Sequence, residues 1–180
     1  MTENPSPKVR PAEPPDAGAL AAIYNHYVAE TVVTFEEEPV AAAEMARRVE
    51  NVRSSGLPWL VAEDDGRVVG YACATPWRPR SGYRFSVEVT VYVAPDMGGR
   101  GIGSRLYGEL LPRLAELGVH AVIGGIALPN AASVALHERF GMRKVAHFER
   151  VGFKLGRWVD VGYWQLLLGP AGNDATTGAG

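Results

Sequence analysis

The sequence lacks the features that mark secreted, membrane-spanning and nucleic-acid-binding proteins. Cys73 is its one cysteine, which excludes an intramolecular disulfide and a multi-cysteine zinc site and predicts a reducing compartment. No apolar run reaches the roughly 18 residues that a membrane span needs, and the N-terminus lacks the charged-then-apolar order of a secretory signal. The formal net charge of -2 leaves no basic excess for nucleic acid. These absences predict a cytoplasmic protein that binds neither nucleic acid nor membrane.

The length and composition predict a single globular domain. At 180 residues, with 47% hydrophobic and 21% charged residues, the chain is long enough for one sizeable core. Residues 1–8 are proline-rich and residues 169–180 are rich in Gly, Ala and Thr, so we expect a loose tail at each end. The domain is therefore expected over residues 9–168, with a candidate edge strand near Val9.

Apolar residues at the helical period predict four helices. The third follows a glycine-rich turn and carries a leucine face that runs to Leu117. Pro112 lies inside it and conflicts with a straight helix, because a proline ring crowds the carbonyl four residues earlier. The expected boundaries are Asp16 as the N-cap of the first helix, residues 41–53 for the second, Gly118 as the end of the third, and Asn130 and Gly141 around the fourth.

Alternating residues predict β-strands between these helices. The alternation is clearest over residues 85–93, where four valines share one face and Glu88 and Thr90 lie on the other. The expected strands are residues 59–63 and 67–74 joined through Asp64, Asp65 and Gly66, residues 85–93, residues 119–128, and two strands within 144–168 that turn at Gly156 and Arg157. This order predicts an α/β fold with one mixed, mostly antiparallel twisted sheet flanked by helices.

The clearest chemical signal is a glycine-rich turn between a strand and a helix. A helix N-terminus aims free backbone N–H groups and a positive dipole end at one point, which suits a phosphate. Glycines let the backbone curl round an oxyanion, and a hydroxyl and a guanidinium add donors. Taken alone, such a turn is as often an ordinary strand-to-helix connection. The candidate phosphate-binding residues are Gly99, Arg100, Gly101, Ile102, Gly103 and Ser104.

The segments around this turn resemble the GCN5-related N-acetyltransferase (GNAT) superfamily. They are VYVAP at 91–95, LPN at 128–130 with Ser133 and Leu136, and FGM at 140–142. The resemblance implies a GNAT-type fold that uses acetyl-CoA, with the CoA pyrophosphate in the turn. It also implies that the backbone of Val91, Tyr92 and Val93 pairs with the pantetheine arm, which Asn130 contacts as well. The family turn usually opens with Gln or Arg, and Gly98 departs from that pattern.

A narrower resemblance, to the phosphinothricin and methionine sulfoximine acetyltransferases, runs from about Arg10 to Leu168 with almost no gaps. It rests on six blocks, which are IYNHYV at 23–28, PWLVAE at 58–63, TVYV at 90–93, LPN at 128–130, LHE at 136–138 and WVDVGYWQ at 158–165. It implies direct transfer of acetyl to the α-amino group of a small amino acid or analogue. It also implies a homodimer with the pocket near the two-fold interface, and a role in herbicide or antibiotic resistance.

Glu88 and His137 are the candidate catalytic residues. Glu88 lies on the polar face of the strand expected to receive the pantetheine arm, where a partly desolvated carboxylate suits removal of a proton from the acceptor ammonium. His137 stands where many relatives have a tyrosine that protonates the leaving CoA thiolate, and histidine transfers protons near neutral pH. Three roles stay open for His137: acid, assistant to Glu88, or substrate ligand.

The acceptor site is expected around loop 77–83, which precedes the Glu88 strand. Arginine holds carboxylates and phosphinates in a bidentate fork, so arginines here suit an amino-acid-like substrate. The resemblance adds two pocket residues in the loop after the first helix, and a backbone N–H near Val89 is expected to stabilise the reaction's oxyanion. The candidate substrate-binding residues are Thr34, Phe35, Arg78, Pro79, Arg80, Tyr83, Val89 and Thr90.

Two other functions stay open at this point. One is an acetyltransferase for a polyamine, an aminoglycoside or a protein amine, although cationic acceptors call for an acidic pocket and Arg78 and Arg80 are basic. The other is a non-catalytic acyl-CoA sensor, against which the presence of both Glu88 and His137 argues.

The remaining notable side chains are expected to be structural. No metal is predicted, because the histidines show no ligand spacing. Cys73 lies inside a strand and is expected to be a small core residue, since direct transfer to an amine needs no acyl-cysteine. Trp59, Trp158 and Trp164 are expected to pack.

Overall fold

The structure, a computed structural model, describes residues 7–169, in which one seven-stranded sheet is covered on both faces by helices. Residues 1–6 and 170–180, which include most of both expected tails, lie outside the described part. The first strand begins at Lys8, so Lys8 belongs to the sheet and the edge strand predicted near Val9 is present. The elements are β1 (Lys8–Pro11), α1 (Ala17–Glu30), α2 (Ala42–Ser54), β2 (Trp59–Asp64), β3 (Arg67–Pro76), β4 (Ser86–Val93), α3 (Ile102–Glu116), β5 (Ala121–Leu128), α4 (Ala131–Arg139), β6 (Arg143–Lys154) and β7 (Arg157–Leu167).

The strands form one sheet in the order β1-β2-β3-β4-β5-β7-β6. Among the strand pairs of residues 7–169, only β4–β5 is parallel, so the predicted mixed, mostly antiparallel sheet is confirmed. The β2–β3 hairpin turns through Asp65 and Gly66, whose φ angles of 47° and 76° are those of the turn that favours Asp-Gly. Leu155 and Gly156 turn the β6–β7 hairpin in the same left-handed region.

Two helix predictions need correction. Asp16 does not cap α1 with its side chain; its carboxylate instead binds Arg10 and accepts from the backbone N–H of Glu13, across a 3-10 turn that leads into the helix. The third helix runs through Pro112 to Glu116, and Gly118 with φ of 75° follows its end, as predicted. Leu117 lies beyond that helix and is 55% exposed, outside the buried leucine face.

The two faces of the sheet carry different helices. Tyr24 of α1 packs edge-on against Tyr92, which places α1 on the β4 face that also carries Glu88 and Thr90. On the opposite face, Ile102 at the start of α3 packs against Gly70 of β3. The functional side chains of β4 therefore share the α1 side of the sheet, and α3 covers its other side.

The packing predictions for Cys73 and the tryptophans hold with one exception. Cys73 is a buried free thiol and Trp59 and Trp164 are buried, as expected, but Trp158 is 60% exposed and packs edge-on against Phe153 only at the surface. Over residues 7–169, no helix is long and apolar enough to cross a membrane. Within the same residues, no group of three or more His, Cys, Asp or Glu side chains is arranged to hold a metal ion.

Candidate active site

A cleft opens in the sheet where β4 and β5 separate. Their parallel pairing covers only three residue pairs and ends at Glu88 and Ile123, although β4 continues to Val93 on β3 and β5 continues to Leu128 on β7. Beyond the split, the β5-facing edge of β4 has backbone N–H and C=O groups directed into the opening. An extended chain can add to such an edge as a further strand. The cleft is lined by Val89, Thr90, Val91 and Tyr92 of β4, Gly125, Ile126 and Ala127 of β5, and Tyr107, Asn130, Ser133 and His137 of the helices.

The glycine-rich turn leads from the end of β4 into α3. Gly99 and Gly101 both have φ of 75°, in the left-handed region, and Gly101 is the N-cap of α3. Arg100 is exposed, whereas Ile102 is 1% exposed and its side chain belongs to the core. Gly98 has φ of -59° and a Cβ there would meet nothing within 4 Å, so neither backbone nor space requires glycine.

Gly103 has a packing role in the first turn of α3. A Cβ there would lie 2.9 Å from Cδ2 of Leu136 on α4, so the missing side chain allows the two helices to approach closely. On α4, Asn130 is the N-cap, since its Oδ1 accepts from the N–H of Ser133 at 3.1 Å, and this predicted cap is confirmed. Asn130 also lines the cleft.

A larger cavity of about 800 Å³ adjoins the cleft on the α1 side of the sheet. Glu88 and Thr90 line both the cleft and this cavity, so they stand at their junction. The other walls come from the segment after α1, from the start of loop 77–83, and from β5, β6 and β7. They include Val33, Thr34, Phe35, Trp77, Arg78, Ile123, Phe148, Val151, Val161 and Tyr163.

Glu88 is half-buried at this junction, and burial raises the pKa of its carboxyl group, with the Arg78 guanidinium partly opposing the rise. Gly125 of β5 makes room for it, because a Cβ at that position would lie 3.2 Å from Oε1 of Glu88. A desolvated carboxylate of this kind accepts a proton more readily than an exposed one.

His137 is 3% exposed and both of its ring nitrogens are occupied. Nδ1 lies 2.7 Å from the carbonyl oxygen of Ser133, which can only accept, so Nδ1 carries the proton. Nε2 therefore accepts from the Tyr107 hydroxyl at 3.0 Å. Burial lowers the pKa of His137, which keeps the ring neutral at neutral pH. Gly124 makes this position possible, since a Cβ there would lie 2.5 Å from Nε2.

The candidate residues of loop 77–83 line two neighbouring sites. Arg78 lines the large cavity, where its guanidinium stacks on Trp77 at 4.2 Å from the ring centroid. Pro79, Arg80 and Tyr83 line a surface groove with Phe85, Leu117 and Gly118, and Arg78 borders that groove as well. A short 3-10 turn at Ser81–Tyr83 lies in this loop. Arg78 is thus the candidate of the loop that lines the cavity beside Glu88, and the assignment of Pro79, Arg80 and Tyr83 to the acceptor site stays a prediction.

The predicted pocket residues Thr34 and Phe35 both reach the large cavity. Thr34 is buried, and its hydroxyl lies 2.7 Å from the Tyr24 hydroxyl. Phe35 is 39% exposed and its ring lies over Gly152 of β6. On the other side of Thr90, a second cavity of about 360 Å³ is lined largely by aromatic and apolar side chains, including Trp59 and Cys73.

The sequence reasoning missed Gly124 and Gly125, which lie next to each other in β5. Because side chains alternate along a strand, Gly124 clears space for His137 on one face and Gly125 clears space for Glu88 on the other. Two glycines inside an otherwise apolar buried strand are the signal that could have found them, since such glycines mark close approach. Tyr107 was also missed, because on sequence it is one more residue of an amphipathic helix.

Comparison with known proteins identifies the family of this chain. The sequence model of the acetyltransferase (GNAT) family matches residues 20–142. The phosphinothricin N-acetyltransferase of Streptomyces coelicolor is 42% identical, over 89% of this chain and 96% of its own. The L-methionine sulfoximine/L-methionine sulfone acetyltransferase of Pseudomonas aeruginosa is 39% identical, over 92% and 96%.

A solved structure agrees over the whole fold. The GNAT superfamily phosphinothricin acetyltransferase from Sinorhizobium meliloti, in complex with AcCoA, superposes with a TM-score of 0.89 at 38% identity, covering 92% of this chain and 90% of that one. The chain thus combines a split parallel strand pair, a glycine turn and a helix with sequence similarity to these acetyltransferases over nearly its full length. The chain belongs to the GNAT acetyltransferase family.

Proposed function

We propose that this protein transfers the acetyl group of acetyl-CoA to the α-amino group of a small amino acid or analogue of the phosphinothricin, methionine sulfoximine or methionine sulfone type. The observation that carries the proposal is the position of Glu88, which borders the strand cleft and the large cavity at once. A proton acceptor at that junction lies between a site for an extended thioester and a site for an amine. The names of the relatives support the acceptor class.

The cleft and the turn suit the two halves of the coenzyme. The open edge at Val91 offers backbone groups to the amide-bearing pantetheine arm, and Asn130 borders the same opening. Pairing of the arm with Val93, whose carbonyl also accepts from the Tyr27 hydroxyl, stays a prediction. The backbone N–H groups at the start of α3, with Gly99 and Gly101 in left-handed conformations, suit the pyrophosphate. Arg100 is exposed beside them and adds positive charge. Gly103 lies among these N–H groups and also allows the close α3–α4 contact.

Glu88 acts as the general base for the incoming amine. The acceptor arrives mainly as an ammonium, because amino groups titrate above ~7.7. Glu88 takes one proton, and the neutral amine nitrogen attacks the thioester carbonyl carbon to form the C–N bond. The C–S bond then breaks, and the nitrogen gives up its second proton. The CoA thiolate leaves and takes up a proton, so the products are the N-acetyl amino acid and free CoA thiol. A backbone N–H of residues 89–91 stabilises the carbonyl oxyanion.

His137 acts through Tyr107 in this proposal. With Nδ1–H bound to Ser133 and Nε2 accepting from Tyr107, the ring has no free nitrogen for the substrate. It holds the Tyr107 hydroxyl in place beside the cleft. His137 is therefore proposed as a positioning residue.

Arg78 and the aromatic walls of the cavity set the acceptor. The Arg78 guanidinium, close enough to influence Glu88, suits the acceptor carboxylate. Its positive charge disfavours polyamines and aminoglycosides. Thr34, Phe35 and Thr90 complete the proposed acceptor site, and the apolar second cavity beyond Thr90 offers room for an uncharged side chain.

The protein is proposed to act as a homodimer. The β6–β7 hairpin exposes apolar side chains that a monomer leaves in water, and two of them, Phe148 and Val151, also line the large cavity. The exposed set is Val145, Phe148, Val151, Phe153, Leu155 and Trp158. Sedimentation equilibrium tests this, and a monomer at micromolar concentration would refute it. A cytoplasmic location and a role in resistance to amino-acid-like inhibitors stay predictions.

Release of free CoA thiol tests the proposed activity directly. Acetyl-CoA is supplied with each member of a panel of candidate acceptors. The panel contains phosphinothricin, methionine sulfone, methionine sulfoximine, common amino acids, polyamines and a peptide with a free N-terminal amine. Turnover with the amino-acid analogues supports the proposal. Turnover confined to polyamines or to the peptide would refute the acceptor class, and tight acetyl-CoA binding without turnover on any amine would indicate a sensor.

A further inference from the structure

Lys154 is a buried cation whose hydrogen bonds go to backbone carbonyls at the end of α1. It is the last residue of β6 and is 2% exposed. Its Nζ donates to the carbonyl of Thr34 at 2.8 Å and to that of Tyr27 at 3.3 Å. Tyr27 lies in the last turn of α1, where carbonyls without helical partners carry partial negative charge. The ammonium thereby joins the end of α1 to the segment that follows it.

Burial removes water from the Lys154 ammonium, and its hydrogen bonds to these two carbonyls are the main interactions that replace that water. Burial lowers the pKa of the ammonium, and the carboxylates of Glu37 and Glu36 partly oppose that change. Because both hydrogen-bond acceptors are backbone atoms, the contacts of Lys154 depend on the backbone conformation of the segment and not on its side chains.

A second contact from the same strand meets the same segment. The ring of Phe35 lies on the backbone of Gly152, where a Cβ would come within 2.2 Å of two ring carbons. No residue larger than glycine fits there unless Phe35 moves. Gly152 and Lys154, which we call the β6 latch, therefore fix consecutive residues of the segment by independent means.

The latched segment is a wall of the large cavity. Val33, Thr34 and Phe35 line that cavity together with Glu88 and Arg78. We infer that Gly152 and Lys154 are positioning residues for acceptor binding, which hold the Thr34–Phe35 wall at the distance that the acceptor requires. The inference rests on the proposed function for the identity of the ligand. Neither Gly152 and Lys154 nor the Thr34 and Phe35 positions that they contact line the cleft, so acetyl-CoA binding should not depend on the latch.

Steady-state kinetics on two latch variants test this inference. Lys154→Met keeps the apolar stem and removes the donors, and Gly152→Ala displaces Phe35 without touching Lys154. Lys144→Met, at an exposed position of β6, and Gly18→Ala, where a Cβ meets nothing within 4 Å, are the matched controls. KM for methionine sulfone or phosphinothricin, KM for acetyl-CoA, kcat and Tm are measured for each. We expect both latch variants to raise the acceptor KM by about tenfold or more, since small displacements at a reacting site are costly. KM for acetyl-CoA should stay within twofold of wild type.

The outcomes separate the latch from the proposed function. If wild type acetylates amino acids and the folded latch variants keep the wild-type acceptor KM, the latch inference is refuted even if Tm falls. Equal increases in both KM values would also refute it, because they indicate general loosening. A wild type that acetylates no amino acid refutes the proposed function and the inference together. If Lys154→Met does not fold, Gly152→Ala decides by the same criteria.

Discussion

Replacement of Glu88 by Gln tests the centre of the proposed mechanism. The two side chains have nearly the same shape, so Gln fits the space that Gly125 leaves and no cavity forms. Removal of a general base costs about 10²- to 10⁴-fold in rate, or roughly 3 to 5 kcal/mol in activation free energy. We expect kcat to fall by that amount at pH 7, with little change in either KM.

The pH dependence of this variant carries more information than its rate at one pH. Burial raises the pKa of Glu88, so the wild-type rate should increase with pH as the carboxyl group loses its proton, at a higher pH than for an exposed glutamate. The variant has no carboxylate to remove the proton and relies on acceptor amine that is already neutral. The difference in rate between wild type and variant should therefore narrow as pH approaches the amine pKa. Thiol release from pH 5 to 9 measures both profiles.

Stability gives an independent check with a defined sign. A carboxyl pKa that is raised by folding means that the native state favours the protonated form, so wild type loses stability as pH rises through the folded pKa. Gln has no such loss, and the Tm of Glu88→Gln relative to wild type should increase from acid to neutral pH. Glu116→Gln, at an exposed position of α3, is the control. A variant with wild-type kcat at every pH would remove Glu88 from the mechanism.

Three further predictions concern residues around this centre. Arg78→Ala should raise the acceptor KM about tenfold and move the acid limb of the rate profile to higher pH, because Arg78 lowers the pKa of the general base. Arg80→Ala, in the neighbouring groove, should change neither the acceptor KM nor the pH profile. Equal effects of the two substitutions on these quantities would refute the different roles of the two arginines. Gly124→Ala should destabilise the fold by about 1 to 3 kcal/mol in urea unfolding, because its Cβ would meet the His137 ring, and an unchanged unfolding midpoint would contradict that packing. Gly98→Arg should be tolerated and lower the Kd for CoA in calorimetry at low salt, since space and φ both permit a side chain there; weaker binding would show that the turn needs glycine.

Much of the fold could be predicted because its determinants are local. The Asp65-Gly66 turn, the valine alternation before Val93 and the Asn130 cap depend on neighbours within a few residues, and each was predicted from the sequence. Asp16 shows the limit of that reasoning. Its carboxylate had a local option as a helix cap, but Arg10 offers two charge-assisted hydrogen bonds, which outweigh a single cap contact.

The candidate site depended much more on contacts between distant segments. Arg78 and Arg80 are two residues apart and look alike in sequence, yet Arg78 lines the large cavity and Arg80 lines only the neighbouring groove among the cavities described. Lys154 meets Thr34 across 120 residues, and Tyr107 meets His137 across 30. No periodicity within α3 or β6 marks either residue, because helix and strand patterns report burial and not the identity of the partner.

The amino-acid sequence by itself determined the elements, the glycine turn, the family and the strand that bears Glu88, since these follow from backbone preferences and short motifs. Only the tertiary structure decided where the turn's glycines act, that His137 is neutral and bound to Tyr107, and which arginine reaches Glu88. The physical reason is the parting of β4 from β5. No local sequence pattern encodes where the pairing of β4 with β5 ends. The cleft that opens there determines which side chains can contact one another and the ligands.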